Sequence, residues 1–598
     1  MKISSPIVTL LPLALICTLF SGCASMAPST KANSSVAETS VPEAITVEPP
    51  VSVASQEDLP NVVLTDQILF KVVSAEIAFQ RGDFAAAFAT TMAVAQQTRD
   101  PRLPKRAMEM ALLAKQPIQA FIAARMWHEY SPNSDEATQY YLGFMVMNNN
   151  LDEVSSVATA RLAAATPKER GLLILQFQRL VMRSPNKDAG FNLLETLYQP
   201  YPEYLETHLA LAQAAFASNN SVRAIVEAHT ALKISPSSQI AALTVAQVSP
   251  SPEAALKALE DFLIANPGGI EVRRAYAGML VEQKQYALAR SQFELLKTES
   301  SDPTILYTLA VLSLQMNDVA SGEKDLIEFV KAVDAAPNEQ RDPTSAYLYL
   351  SQIADERHDG VLALDWLSKV QSYEGKNAGY FNAQLRRALL ISKYQTLAQA
   401  RQFLHEIKAT PAEQVQIIQL EAELLRDANQ DKEALTLLKQ ANEAKPDNPD
   451  LLYDYAMMAE KLDQIDEMEK ALRRVITINP KNQQAYNALG YSLADRNMRL
   501  PEARTLLERA IFITPDDPFI IDSMGWLEFR ENNLPAALEH LQQAYKLRPD
   551  ADIGVHLGEV LWVMGEQQKA KNIWKQAQQK DPANAALKST LERLKVSL

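Results

Sequence analysis

Cysteine is almost missing from this chain: it occurs twice in 598 residues, as Cys17 and Cys23. The 575 residues beyond Cys23 therefore hold no disulfide, no thiol nucleophile and no thiolate metal ligand, so their stability has to come from packing. Glycine is also scarce, 17 residues, or about 3% against an average usage of roughly 7%. That disfavours folds built on Gly-rich phosphate loops or many tight hairpins. Positive charge is in deficit, with 58 Lys and Arg against 72 Asp and Glu and a net charge of −14. A nucleic-acid binder needs basic side chains to displace counterions from phosphates, so that class is disfavoured too. The apolar run Ile7 to Phe20 has 14 residues, short of the roughly 20 that span a bilayer. What is plentiful is apolar content, 47% of the chain, enough for a large packed core.

Signs of catalysis are thin. The seven histidines, His128, His208, His229, His358, His405, His540 and His556, are scattered, and neither His128-Glu129 nor His405-Glu406 has a second histidine four residues on. They read as surface or packing residues. No G-x-S-x-G, P-loop or dinucleotide fingerprint occurs. Acid pairs such as Asp516-Asp517 fall where they would cap the next helix. No enzyme activity, metal or cofactor is expected.

Lys2 followed by Ile7–Phe20 has the form of an export signal. The next residues, Phe20-Ser21-Gly22-Cys23, resemble the lipobox of bacterial lipoproteins, although leucine sits at position 19, one residue earlier than usual. The resemblance implies that residues 1–22 are removed and that Cys23 is lipidated. Ala24-Ser25 then resembles outer-membrane sorting, with the protein facing the periplasm. The alternative is a plain secretory peptide cut nearby. Residues 23–66, rich in Ser, Thr, Val and Pro, bury too little apolar surface to offset ordering entropy and read as a tether.

Prolines recur at a fixed interval beyond the tether: Pro202 to Pro236 is 34 residues, Pro446 to Pro480 is 34, Pro480 to Pro515 is 35, and Pro515 to Pro549 is 34. Small and bulky residues keep the same phase, as in Leu489-Gly490, Ala503, Leu507 and Ala510, in Met524-Gly525, Ala537, Leu541 and Ala544, and in Leu557-Gly558, Ala570, Trp574 and Ala577. The period and pattern resemble the tetratricopeptide repeat, a helical hairpin that stacks on its neighbours. The resemblance implies an all-α superhelical solenoid of about 13–15 hairpins. Degenerate units are expected over 67–340, well-formed ones over 341–584, and a capping helix over 585–598. Earlier slots are filled by Ala87, Ala120, Gly143, Ala224, Ala289, Ala363, Ala400 and Ala434. The stretches near Pro185 and Pro250 are worn.

In tetratricopeptide proteins, certain first-helix positions line a concave wall. Carried over in this register they are Tyr453 and Lys461, then Asn487, Tyr491 and Asp495, then Phe519, Asp522, Trp526, Phe529 and Arg530, and last Glu559 and Trp562. Aromatics and arginine concentrate binding energy at interfaces, which makes this the expected partner-binding groove. For Trp526, Phe529 and Trp562 the alternative is packing between neighbouring helices.

The stretches NALGYSLADRN (487–497), PDDPFIIDSMGWLEFREN (515–532) and HLGEVLWVMGEQQKA (556–570) resemble the LbcA-type family of proteobacterial outer-membrane tetratricopeptide lipoproteins. SAEIAFQRGDFAAAF (74–88) and YLYLSQIADERHDGVLALDWLSKV (347–370) share that look. The resemblance implies a non-catalytic adaptor that binds a carboxy-terminal processing protease, CtpA in that family, and presents cell-wall hydrolases to it, so controlling peptidoglycan turnover. Within that reading the N-terminal units meet the protease and the C-terminal groove meets its substrates. The alternative is a lipoprotein that assembles or activates an envelope machine, such as a pilus, a secretin or a peptidoglycan synthase.

Overall fold

The computed structural model describes residues 59–336, 341–371 and 378–598. The expected signal segment, the expected lipidation site at Cys23 and the expected tether up to residue 58 lie outside the described residues. Of the described residues 78% are helical, in 31 helices, and none is in a strand. The helices follow one another as fifteen antiparallel hairpins, from Asp66–Gln80 with Phe84–Thr98 to Ala551–Val563 with Gln567–Lys580, and then a single helix, Ala585–Leu594. The fold is an all-α tetratricopeptide solenoid.

Local chemistry punctuates the array. Between hairpins, a short polar side chain takes the first free amides of the next helix: Asn482 Oδ1 accepts from Ala485 N at 2.9 Å, and Asp517 Oδ1 from Phe519 N at 2.9 Å. Prolines at the first helical position, as in Pro411–Asp427, Pro449–Lys461 and Pro518–Arg530, add no lost hydrogen bond, because that amide would be unpaired in any case. Inside hairpins the chain reverses through a left-handed residue, such as Asn149, Asn219, Asn429, Asn497 or Asn532, the side chain after glycine that best tolerates that backbone.

Packing inside the hairpins follows the repeat slots. A Cβ added at Gly490 would lie 2.7 Å from Leu507 Cγ, and one at Gly525 would lie 2.7 Å from Leu541 Cγ. The indole of Trp574 lies over Gly558 in the same way. Only glycine lets these helices approach so closely. Ala503, Ala510, Ala537, Ala544, Ala570 and Ala577 are buried opposite. The worn units pack by the same rule, since Ala87, Ala120, Ala224, Ala289, Ala363, Ala400 and Ala434 are all buried. Gly143 departs from it: nothing lies within 4 Å of where its Cβ would be. Pro252, in one of the worn stretches, starts its helix under a Ser251 cap, so that hairpin still forms with a first helix of only 10 residues.

The chain divides into two compact units, one up to Phe329 and one from Val330. In the first unit a core around Trp127, Met108 and Ala124 gives way to one built on Ile174, Leu194 and Ala228, and then to one built on Leu259, Leu280 and Phe293. In the second, one core runs from Val415 to Leu527 and another joins Ala537, Val560 and Trp574 to the last described helix through Leu587.

Candidate interaction surfaces

Four first helices carry the groove residues: Pro449–Lys461, Gln483–Asp495, Pro518–Arg530 and Ala551–Val563. Residues four apart share a helix face, so Asn487, Tyr491 and Asp495 line up, as do Asp522, Trp526 and Arg530 one hairpin later. Stacking brings these two lines together with a third residue, His556.

Trp526 is at the centre. Its indole N–H donates to Asp495 Oδ1 at 3.0 Å, and its ring lies on the His556 imidazole with centroids 4.2 Å apart and planes 21° from parallel. The Phe529 ring is 5.0 Å away, and the Arg530 guanidinium stands 5.1 Å over the indole. Arg530 also donates to the Asp495 backbone carbonyl and to its carboxylate, the latter at 3.3 Å. His556 Nδ1 meets Asp522 Oδ2 at 2.9 Å, while Nε2 meets the Tyr491 hydroxyl at 3.3 Å. Tyr491 thus reaches past the intervening hairpin to the second helix along. Asp522, Trp526 and His556 are 6%, 4% and 9% exposed, so this stretch of wall is filled by its own side chains.

The electrostatics follow from that burial. Desolvation alone would lower the His556 pKa, but the Asp522 charge and hydrogen bond, with Asp495 and Asp552 behind them, outweigh it and leave the pKa above the ordinary imidazole value. Burial and the same carboxylates push the Tyr491 phenol far upward. Tyr453 is pushed up to about 12, first by burial and then by Asp454 and Glu460.

The remaining groove residues are placed differently. Tyr453 is half-buried against the Val415–Leu527 core, and Lys461 pairs with Asp431 at 2.6 Å. Asn487 Oδ1 is buried without a hydrogen-bond partner among the described residues. The Phe519 ring lies under the Arg548 guanidinium. Glu559 is taken by Arg593 of the last described helix at 2.6 Å, and Trp562 leans on Trp574 with centroids 5.7 Å apart. Sequence reasoning set His556 aside with the other histidines. The signal that identifies it is spacing: Asp522 and His556 are 34 residues apart and Asp495 and Arg530 are 35 apart, so each pair meets across one repeat.

A second surface belongs to the first hairpin. On the Asp66–Gln80 helix, Leu69, Val73 and Ile77 recur every fourth residue and are 49%, 47% and 44% exposed, with Phe70 beside them at 72%. Leu59, Val63 and Leu64 just before the helix are also exposed. A contiguous apolar face of this kind marks an interaction site more often than a scatter of single residues does. Among the described residues no group of three or more His, Cys, Asp or Glu side chains could hold a metal ion, and no helix is long and apolar enough to cross a membrane.

Comparison with known proteins matches a tetratricopeptide-repeat family model over residues 425–490. A TPR repeat-containing protein of Pseudomonas aeruginosa is 38% identical over 216 residues, which is 36% of this chain and 36% of that protein. The match thus spans about a third of the relative's length. Among solved structures, a complex titled as Naa15/Naa10 bound to HypK-THB aligns over 68% of each chain at 16% identity, with a TM-score of 0.34. Yeast Tom70 aligns over 72% of this chain and 95% of its own at 12% identity, with a TM-score of 0.32. Period, hairpin packing and the family match over residues 425–490 agree on a tetratricopeptide-repeat fold, an architecture suited to protein–protein interaction.

Proposed function

We propose that this protein is a non-catalytic periplasmic adaptor, anchored to the outer membrane through Cys23, that holds a carboxy-terminal processing protease and presents cell-wall hydrolases to it. The observation that carries the reading is the uncovered apolar face of the first hairpin, Leu69, Phe70, Val73 and Ile77, which offers a docking stripe on the N-terminal units. The resemblance of residues 487–497, 515–532 and 556–570 to adaptor lipoproteins supports it. The long solenoid leaves room for a second protein on the same scaffold. Bringing protease and substrate onto one scaffold makes their meeting nearly intramolecular, which raises the effective concentration without any catalytic group in the adaptor.

The test is an affinity pull-down from native periplasmic extract with residues 24–598, read by mass spectrometry, beside the triple variant Leu69→Ser, Val73→Ser, Ile77→Ser. Recovery of a processing protease with cell-wall hydrolases, and loss of the protease from the triple variant, is the expected result. Recovery of secretin, pilus or synthase components in their place would overturn the adaptor reading and favour an assembly lipoprotein.

A further inference from the structure

First helices inside this array have a covered face, and the first helix described lacks its cover. Ala75 and Ala87 stand in the slots that Gly525 and Ala537 take later, twelve residues apart in each hairpin. In that register Phe70, Val73 and Ile77 correspond to Ile520, Ser523 and Leu527, which are 3%, 4% and 0% exposed. They correspond equally to Ile553, His556 and Val560 and, in the first unit, to Ile305, Thr308 and Leu312, all buried. Each of these first helices packs against the second helix of the hairpin before it: Pro518–Arg530 against Leu500–Ile513, Ala551–Val563 against Leu534–Leu547, and Pro303–Gln315 against Tyr286–Glu299. On Asp66–Gln80 the same three places are apolar and exposed. The face is a stacking seam with one side present.

We propose that this open seam takes one amphipathic helix of another protein, which lies antiparallel on Asp66–Gln80 in the place of a preceding second helix and sets a small residue over Phe70. The proposal deepens the adaptor reading and rests on it only for which protein supplies the helix.

The inner seams dictate the shape of the occupant. A second helix and the first helix after it are joined by a short turn and run antiparallel, and large side chains on one meet small ones on the other. Ala544 packs with Ile553 of the next first helix, and Ala577 lies in one cluster with Leu587. Phe70 is the counterpart of Ile553 and Leu587, so it calls for an alanine or glycine opposite. A second copy of this chain does not offer one. At the C-terminal end, Ala585–Leu594 seals the last hairpin through Leu587 and leaves Lys588, Ser589, Glu592 and Lys595 exposed, the polar cap that ends a solenoid. Head-to-tail stacking would press that cap on Phe70, Val73 and Ile77. Head-to-head pairing would set large side chains against large ones. A helix of another protein, apolar and small on one face, continues the seam.

Photo-crosslinking reads both the partner and its geometry. p-Benzoylphenylalanine is placed singly at Gln67, Phe70 or Ile77 in cells that produce the full-length protein, and the crosslinked peptides are sequenced by mass spectrometry after irradiation. Phe70 and Ile77 are seven residues apart, so their crosslinks should fall about seven residues apart on a single helix of one protein, since both helices rise equally per residue. The order should be reversed, with the Phe70 crosslink nearer the C-terminus of that helix. Val73→Asp, at an exposed site, should abolish the crosslinks. Crosslinks to a strand or loop, crosslinks in parallel order, crosslinks to a second copy of this chain, or none from any of the three sites would overturn the proposal. The identity of the crosslinked protein tests the adaptor reading separately. A reversed helical ladder on a protein other than a processing protease would uphold the seam and overturn the assignment of the protease to it.

Discussion

On the Asp66–Gln80 helix, residues four apart leave leucine, valine and isoleucine outside; on Gln483–Asp495 and Pro518–Arg530, the same spacing sends tyrosine, aspartate and tryptophan into one another. Both surfaces come from the first helices of hairpins. What differs is the company. Trp526 and His556 find partners about one period away and Tyr491 finds His556 two periods away, so the wall satisfies itself. Leu69, Val73 and Ile77 belong to the first hairpin described, and about half of each stays exposed. One repeat thus yields a closed polar wall where neighbours supply partners and an open apolar face where they do not.

The comparison breaks most visibly under deletion of one large ring in each region. Trp574 is fully buried, lies over Gly558 and donates its indole N–H to Val555 O at 3.2 Å. Trp574→Ala should destabilise the C-terminal unit by about 3–5 kcal/mol, through lost contacts and a cavity. Phe70→Ala, at an exposed position, should stay within about 0.5 kcal/mol. Urea unfolding followed by circular dichroism reads both. Equal losses would mean that the Phe70 face is covered in solution.

A glycine pair sharpens the contrast by a change of sign. At Gly525 an added methyl meets Leu541, so Gly525→Ala should cost about 1–3 kcal/mol through overpacking. At Gly143 the methyl meets open space inside a helix, so Gly143→Ala should gain up to about 1 kcal/mol from helix propensity. Midpoints of urea unfolding that move in the same direction for both would show that the close approach at Gly525 is not a constraint.

These two glycines also show what was legible in the chain. The hairpins were, because proline spacing and the small-residue slots report contacts within one repeat: Gly490, Gly525 and Gly558 were placed correctly from pattern alone. Gly143 was not, since a worn unit offers a small residue without saying which face it is on. The wall was half legible. Tyr491, Asp522, Trp526 and Arg530 stand out by residue type, but their neighbour His556 becomes visible only when residues a full period apart are compared. The exposed stripe at Leu69 was not read at all, because apolar periodicity announces a buried face and exposure depends on which helices stack there.

The smallest effects belong to surface ion pairs, and these should behave alike in both regions. Arg106 grips Glu76 of the first hairpin through two hydrogen bonds, at 2.7 and 2.8 Å, and Arg499 grips Glu469 in the C-terminal unit with Arg473 at 2.8 Å beside it. Both are part-exposed, so solvent screens them and each pair contributes less than about 1 kcal/mol. Hydrogen bonding from Arg499, with help from Arg473, holds the Glu469 carboxyl at about 2. A depressed folded pKa means that the contribution is complete above the ordinary glutamate value of about 4.3 and disappears as pH falls through about 2. Arg499→Gln should therefore lower the urea midpoint slightly at pH 6 and much less near pH 2, where half of the Glu469 carboxyl is protonated. The effect of Arg106→Gln should likewise shrink as pH falls, because hydrogen bonding from Arg106 lowers Glu76 as well. A midpoint change as large at pH 2 as at pH 6 would mean that the arginine stem, packed on its helix, contributes more than its charge.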